Sequence, residues 1–350
     1  MSAINVLPAD LLPEYQAAAV KWRKSLLSMP IVGMEQALKE MTLRTGIRYK
    51  EMVGALSLGA QMAPHKTSRT TTGELDILYR EAETFLGSLN IQFDPNSVAQ
   101  TIHGLESETK GEGLTRSQVA KYVLFQLAKD VSENLYKSLW SATRDATGDT
   151  TADLFNGFDT ITAAEITAGN ISAAKGNYIK LTDPLTSENA YDVIKDAIRR
   201  ADESLLAQKT NVYTSYGVLN LYEDAYLATH AATTYNTAFE QRMVEGAGGN
   251  VRFFPMSNKR NSKYIHVAPK QNMLVCTDQM SDMESIYVGQ YSPWLINFVM
   301  TMFFGVQFES IDPRRLLVIE LADETETTPE TTPETTPETT PETNTDQNPQ

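Results

Sequence analysis

The residues able to carry chemistry are few. The four histidines, His65, His103, His230 and His266, are widely separated, and none has a Cys or another His three to five positions away. A zinc ion needs such clustering to gather its nitrogen and sulfur ligands, so zinc has no support. A cysteine–histidine nucleophile would have to use Cys276, which lies in the apolar run Met273-Leu274-Val275-Cys276 and reads as a buried, inert thiol. His266, within Tyr264 to Val267, reads as a strand residue with a satisfied hydrogen bond rather than as a base. Gly246-Ala247-Gly248-Gly249 has glycines for a phosphate cradle. No Lys-Ser or Lys-Thr follows, though, and a helix-like segment precedes it, whereas a P-loop needs a strand before and a helix after; it reads as a flexible surface loop. Asp278, Asp282 and Glu284 offer oxygen ligands without the glycine offset and alternate spacing of a calcium loop, and read as a solvated, turn-rich face. Lys259, Arg260 and Lys263 are the densest basic patch and read as a charged loop tip in preference to a polyanion contact. The expectation is therefore no catalytic residue, no cofactor-binding residue, no metal ligand and no cofactor.

Charge narrows the classes further. The chain has 350 residues and a formal charge of −14, of which −8 falls from Asp323 onward, where no basic residue occurs, and −6 on the body. A mildly acidic body excludes a nucleic-acid reader driven by phosphate neutralisation and argues against a polybasic membrane anchor. One cysteine excludes a disulfide framework within the chain. Met1 to Asp10 lacks the cationic start and apolar core of a signal peptide. Trp294 to Val306, interrupted by Asn297, is too short for a span of about 20 apolar residues. The expectation is a soluble protein made for the cytoplasm.

The elements that must hold these residues follow from periodicity. The first hundred residues read as an arm rather than a compact unit. Leu12, Tyr15, Ala19, Trp22, Leu26 and Leu27 recur at helical spacing over Leu11 to Met29, with Pro30 as the stop. A short helix is expected from Met34 to about Thr45. The polar stretch Ala63 to Thr72 reads as a loop or the limb of an extended hairpin, followed by β-leaning pieces at Ile77–Tyr79 and Leu89–Phe93. Thr115 and Gln118 have capping-box spacing before a stripe of Val119, Val123, Leu127, Val131, Leu135 and Leu139, flanked by Leu124 and Trp140. That predicts a helix of about 28 residues ended by Gly148. Thr151 to Asn170 reads as a turn with β-branched runs, and Ala173 to Pro184 as a hinge. Helices are expected over Ser187–Gln208 and Val218–Glu240. Strands are expected at Val251–Phe254, Tyr264–Val267, Met273–Cys276, Trp294–Phe308 and Arg315–Leu321. Helices and strands fall in separate runs, the α+β class. Four Thr-Thr-Pro-Glu repeats fill Thr327 to Glu342, offer nothing apolar to bury and read as disordered, so the folded body is expected to end near Ala322.

This order of segments, with LFNGFDTI (Leu154–Ile161), TSENAYDVIKDAIRRADESLL (Thr186–Leu206), VYTSYGVLNLYEDAY (Val212–Tyr226) and SPWLINFVMTMFFGVQFESIDPRRLLVIEL (Ser292–Leu321), resembles tailed-bacteriophage major capsid proteins, most nearly those of phages and prophages of Bacteroides-type hosts. The step Gly305-Val306-Gln307 followed by Pro313 and a last strand is similar to that family's ending. The resemblance spans about residues 35 to 321. It implies an N-terminal arm (1–62), an extended loop overlapping a neighbour (63–95), a peripheral domain (96–182 and 282–322) whose spine helix is Gln118 to Asp145, an axial domain (183–281) and an acidic TTPE-repeat tail (323–350). It also implies a head protein that is not an enzyme, self-assembling into the hexamers and pentamers of an icosahedral shell. That shell would enclose double-stranded DNA without reading its sequence and would engage no membrane. Scaffold, portal and decoration proteins are the further partners; the virion is the location, with assembly in the bacterial cytoplasm. Some members crosslink through a Lys and an Asn; Lys66 lies in the loop, but no Asn partner is fixed and that chemistry is not carried over. Two other readings stay open. A tail-tube or sheath subunit would be mostly β, which three long helices disfavour. An enzyme assembled from scattered residues around His103 and His230 would show a pocket holding a perturbed acid or histidine.

Overall fold

The computed structural model describes residues 8–58, 64–65, 67, 75–94, 116–230, 242–278 and 286–322. Helix α1 (Pro8–Val32) buries Tyr15, Ala19, Leu26 and Leu27 on one side, as its spacing requires. It runs through Pro30 instead of stopping there; a proline costs one backbone donor and a local kink, which a helix end held by packing absorbs. Nor is it a detached arm. Its apolar face shares a core with Val119, Ala120, Val123 and Leu124 and with Val288, Ile296 and Phe298. At its end Gly33 crosses Ser132 so closely that a Cβ would lie 2.1 Å from Ser132 Oγ.

The next helix, α2, is only Glu35–Lys39. The residues expected to prolong it form strand β1 (Thr42–Arg44), because they pair in parallel with Leu274–Cys276 and a sheet partner outweighs local propensity. Strands β2 (Lys50–Leu58) and β3 (Leu75–Glu83) form an antiparallel hairpin in register from Lys50↔Glu83 to Leu58↔Leu75. After Thr84 the chain continues as β4 (Phe85–Phe93). The β-leaning pieces at Ile77–Tyr79 and Leu89–Phe93 are thus parts of longer strands; most of Ala63 to Thr72 lies outside the described residues.

Helix α3 (Arg116–Ser138) carries the long stripe, with Val119, Val123, Leu124 and Leu135 buried; its expected cap at Thr115 lies outside the described residues. It is shorter than its stripe suggests. The carbonyls of Leu139, Trp140 and Ala142 accept amides from Phe158, Asp159 and Gly157, so they leave the helix to receive the next one. That helix, α4 (Phe158–Thr167), replaces the expected turn and β-branched runs. Its threonines bond back one turn, Thr162 Oγ1 to Phe158 O (2.7 Å) and Thr167 Oγ1 to Ala163 O (2.9 Å), so both hydroxyls are satisfied within the helix.

The hinge-like stretch contains β5 (Tyr178–Lys180). The single helix expected to Gln208 divides into α5 (Ala190–Arg199) and α6 (Glu203–Leu206). Asp202 caps the second piece by accepting Ser204 N at 2.8 Å, a stronger signal for a fresh start than for continuation. Then come β6 (Thr210–Thr214), α7 (Tyr216–His230), β7 (Val251–Pro255), β8 (Tyr264–Pro269), β9 (Met273–Thr277), β10 (Ile286–Ser292), β11 (Leu295–Phe308) and β12 (Leu317–Glu320).

Two five-stranded sheets organise the molecule. In the first, β11 is central: β4 lies antiparallel along one edge, and β10 and then β9 along the other, with β1 beyond β9. The second has the order β5-β12-β8-β6-β7. Helices α5 and α7 cover one face of the second sheet, burying Tyr191, Ile194, Ile198, Leu219 and Tyr222 against Val212, Phe253 and Val267. Its other face meets the first sheet and the end of α3 around Trp140, Phe155, Phe158, Tyr213, Phe304 and Phe308. On the face of β11 turned away from the second sheet, opposite Phe304, Val306 and Phe308, Gly305 lets the β3–β4 junction cross; a Cβ there would sit 2.2 Å from Glu83 O. Among the described residues no helix is long and apolar enough to cross a membrane.

Candidate functional site

The densest titratable cluster is built where α4, the turn after β7, and β8 meet beneath Trp140. Lys259 belongs to the patch expected to be a charged loop tip, and the structure corrects this: its side chain is 1% exposed. The short helical turn Ser257–Lys259 turns it inward, while Arg260 and Lys263 stay exposed. The ammonium spends all three donors, on Asp159 Oδ1 (3.1 Å), Ser262 Oγ (2.8 Å) and His266 Nδ1 (3.1 Å), and lies 3.7 Å from the centre of the Trp140 ring, a cation–π geometry. Burial pulls the Lys259 pKa down to about 8 against the opposing pull of Asp159.

His266 is the strand residue its context suggested, with two partners rather than one. Thr162 gives its proton to Phe158 O, so His266 Nε2 is the donor in the 2.9 Å contact to Thr162 Oγ1, and Nδ1 accepts from Lys259. Burial first, and the neighbouring Lys259 charge second, hold its pKa well below the ordinary 6.5. A lysine with lowered pKa beside a neutral histidine has the ingredients of proton transfer. Here, however, each donor and acceptor already has a protein partner, and the ring stacks on Phe308 at 5.7 Å. The arrangement ties α4 to the second sheet.

The other candidates are dispersed. His230 closes α7, stacked on Tyr226 at 4.3 Å, with Nε2 4.0 Å from Glu245 Oε2. His65 is exposed, and His103 lies outside the described residues. Cys276 is buried in β9, its thiol pushed up to about 12 by burial. Gly246, Gly248 and Gly249 adopt positive φ, and the Arg199 guanidinium closes over Gly246, which makes the loop a tight wrap against α5. Asp278 is nearly buried, 3.9 Å from Arg48; Asp282 and Glu284, like Lys66, lie outside the described residues. Among the described residues no three His, Cys, Asp or Glu side chains are placed to hold a metal.

Two polar joins that sequence reasoning did not anticipate fix the hairpin and the N-terminal segment. Arg80 of β3 donates to Glu165 of α4 (2.6 Å) and to Gln307 of β11 (3.2 Å). Glu40, after α2, pairs with Arg252 and accepts Asn211 Nδ2 (3.0 Å), while Tyr213 Oη donates to the Glu40 carbonyl. The partners are far apart in sequence, so no spacing announces them.

Several large apolar side chains also remain exposed among the described residues. On the hairpin, Met52 and Tyr79 stand on one face, 67% and 60% exposed. On the outer face of the first sheet, Tyr287 and Tyr291 of β10 and Leu86 of β4 are more than half exposed, as is Trp294 at the β10–β11 turn. Among the described residues β2 and β3 pair only with each other; one face of the ribbon packs Val53 and Ala82 on Leu274 and Cys276, and the face of Met52 and Tyr79 has no such cover.

No protein-family profile matches the chain, and no curated protein matches it in sequence. Solved structures do match in fold. A chain of the satellite phage P4 procapsid that includes the size determination (Sid) protein superimposes with a TM-score of 0.57 at 11% identity, over 84% of this chain and 90% of that one. A capsid chain of an empty GTA particle gives 0.48 at 10% identity over 83% and 90%, and the cyanophage A-1(L) capsid 0.46 at 12% over 85% and 94%. The mixed helix and sheet architecture is the fold of phage capsid proteins.

Proposed function

We propose that the chain is the major head protein of a tailed phage or prophage, self-assembling into the hexamers and pentamers of an icosahedral shell around double-stranded DNA. The observation that carries this reading is the fold, shared with the P4 procapsid chain over most of both lengths. The exposed, two-stranded hairpin with its uncovered Met52 and Tyr79 fits a limb that a neighbouring copy covers. In this reading residues 63–95 are the extended loop. Residues 96–182 and 282–322 form the peripheral domain around α3, 183–281 the axial domain, and 1–62 the arm. The chain acts without catalysis. Scaffold, portal and decoration proteins are its further partners, and assembly takes place in the host cytoplasm; the phrases quoted above favour a Bacteroides-type host.

Electron microscopy of the protein expressed alone and with its neighbouring reading frames tests this. Closed shells or six-fold capsomers are expected. A monodisperse monomer of 38.9 kDa under every condition would overturn the reading.

A further inference from the structure

A groove of about 820 Å³ lies between the start of α7 and the turn before β8. Leu185, Val218 and Leu221 give it an apolar lining, Arg260 and Lys263 a cationic one, and no acidic side chain lines it. Leu321 and Ala322, the last described residues, form part of its wall. From these we infer that the groove is the seat of the chain's own next segment, Asp323-Glu324-Thr325-Glu326, which crosses it as an acidic strap and leaves the TTPE repeats to depart from its far rim.

Three independent observations converge on that occupant. The first is direction. The antiparallel pairing of β12 with β8 runs to Glu320↔Tyr264, and Leu321 N still donates to Lys263 O at 2.8 Å. Beyond that bond β8 gives way to the turn Lys259–Ser262, closed by Ser262 N donating to Lys259 O (3.2 Å), so the direction of β12 carries the next residues toward the turn that bears Arg260. The second is reach. Four extended residues span about 13 Å, enough to cross a groove whose wall the preceding residue already forms. The third is charge. Three of the four residues are acidic, Arg260 has no ion pair among the described residues, and α7 turns its N-terminal end toward the groove through Tyr216, Gly217 and Val218. A helix start without its own acidic residue favours an anion.

The test is limited digestion of the full chain with a glutamate-specific protease, read by intact mass. Glu330, Glu334, Glu338 and Glu342 serve as internal references. Cleavage after Glu324 and Glu326 is expected to be at least about tenfold slower than after Glu334, because a docked bond is cut only when it opens. In Arg260→Glu with Lys263→Glu, both exposed positions, the protection should vanish; 0.5 M salt, on the unaltered protein, should weaken it (about 4 Å of screening length). Equal rates at all glutamates overturn the proposal. Protection that survives charge reversal and salt also overturns it, since mere closeness to the folded body would then suffice. Protection that grows with protein concentration reassigns the groove to the strap of a second copy.

Discussion

Replacing Lys259 by methionine isolates what the buried ammonium does. Methionine keeps most of the stem volume under Trp140 but withdraws three donors. Ser262 Oγ retains the Tyr264 backbone. His266 Nδ1 is left without a donor, worth about 1–3 kcal/mol for a buried acceptor. Asp159 loses its cation, though at 15% exposure water reaches part of it. Breaking a buried pair from one side costs about 3–5 kcal/mol; relief of the ammonium's own desolvation brings the expected net loss to about 3 kcal/mol. Adding Asp159→Asn should restore about 1–2 kcal/mol, because no charge is then stranded. Urea unfolding of the unassembled subunit measures both. The pH dependence supplies an independent check. The folded-state pKa of Lys259 is about 8, below the ordinary 10.5. Below pH 8 folded and unfolded chains both hold the proton and the burial cost is fully present. Between 8 and 10.5 the unfolded chain holds more protons, so this group makes stability rise with pH. The parent should therefore gain on Lys259→Met by at most about 3 kcal/mol across that window. A variant within about 0.5 kcal/mol of the parent, with a difference that stays flat from pH 8 to 10, would refute the reasoning.

Gly305→Ala places a Cβ 2.2 Å from Glu83 O and should cost about 1–3 kcal/mol, read as a lowered urea midpoint; an unchanged midpoint would mean the β3–β4 crossing is free to shift. Deleting residues 66–73 should leave a soluble subunit with unaltered far-ultraviolet circular dichroism that builds no shells, and normal shells by microscopy would remove the hairpin from the assembly mechanism. Ending the chain after Glu326, which keeps the strap and drops the repeats, should move the melting temperature by less than about 1 °C; a large drop would show that the repeats pack.

Periodic elements were legible because their signal is local. The stripe of α3, the spacing of α1 and the strands Met273–Cys276 and Tyr264–Val267 all stand in the structure. What was illegible depends on partners far along the chain. Thr42–Arg44 has no strand character until Leu274–Cys276 lies beside it. Phe158–Thr167 reads as β because of its Ile and Thr residues, and becomes a helix because Leu139, Trp140 and Ala142 offer carbonyls to its first turn. Lys259 shows the same limit at the level of one side chain. Beside Arg260 it looks like a solvated charge, and only Asp159, 100 positions away, explains its burial. Of the titratable cluster, His266 alone was placed correctly in advance, since an apolar strand is a local property.

The polar joins divide the work with the four apolar clusters in a way that area alone does not predict. Apolar packing is non-directional, whereas bonds to charged groups fix distance and orientation. Lys259–Asp159 locks α4 to the second sheet, Arg80–Glu165 with Gln307 locks the hairpin to α4 and β11, and Glu40–Arg252 locks the N-terminal segment to β6 and β7. Each crosses a boundary between packed units instead of lying within one. Two of the three meet on α4, a ten-residue helix anchored at its start by the Trp140 backbone. The hairpin is thus referred to the second sheet through α4, and to the first sheet directly through Gln307 and the contact of Val53 and Ala82 with Leu274 and Cys276. In the proposed shell, where each subunit would meet identical neighbours at fixed angles, rigidity at such joints would matter more than in the interiors.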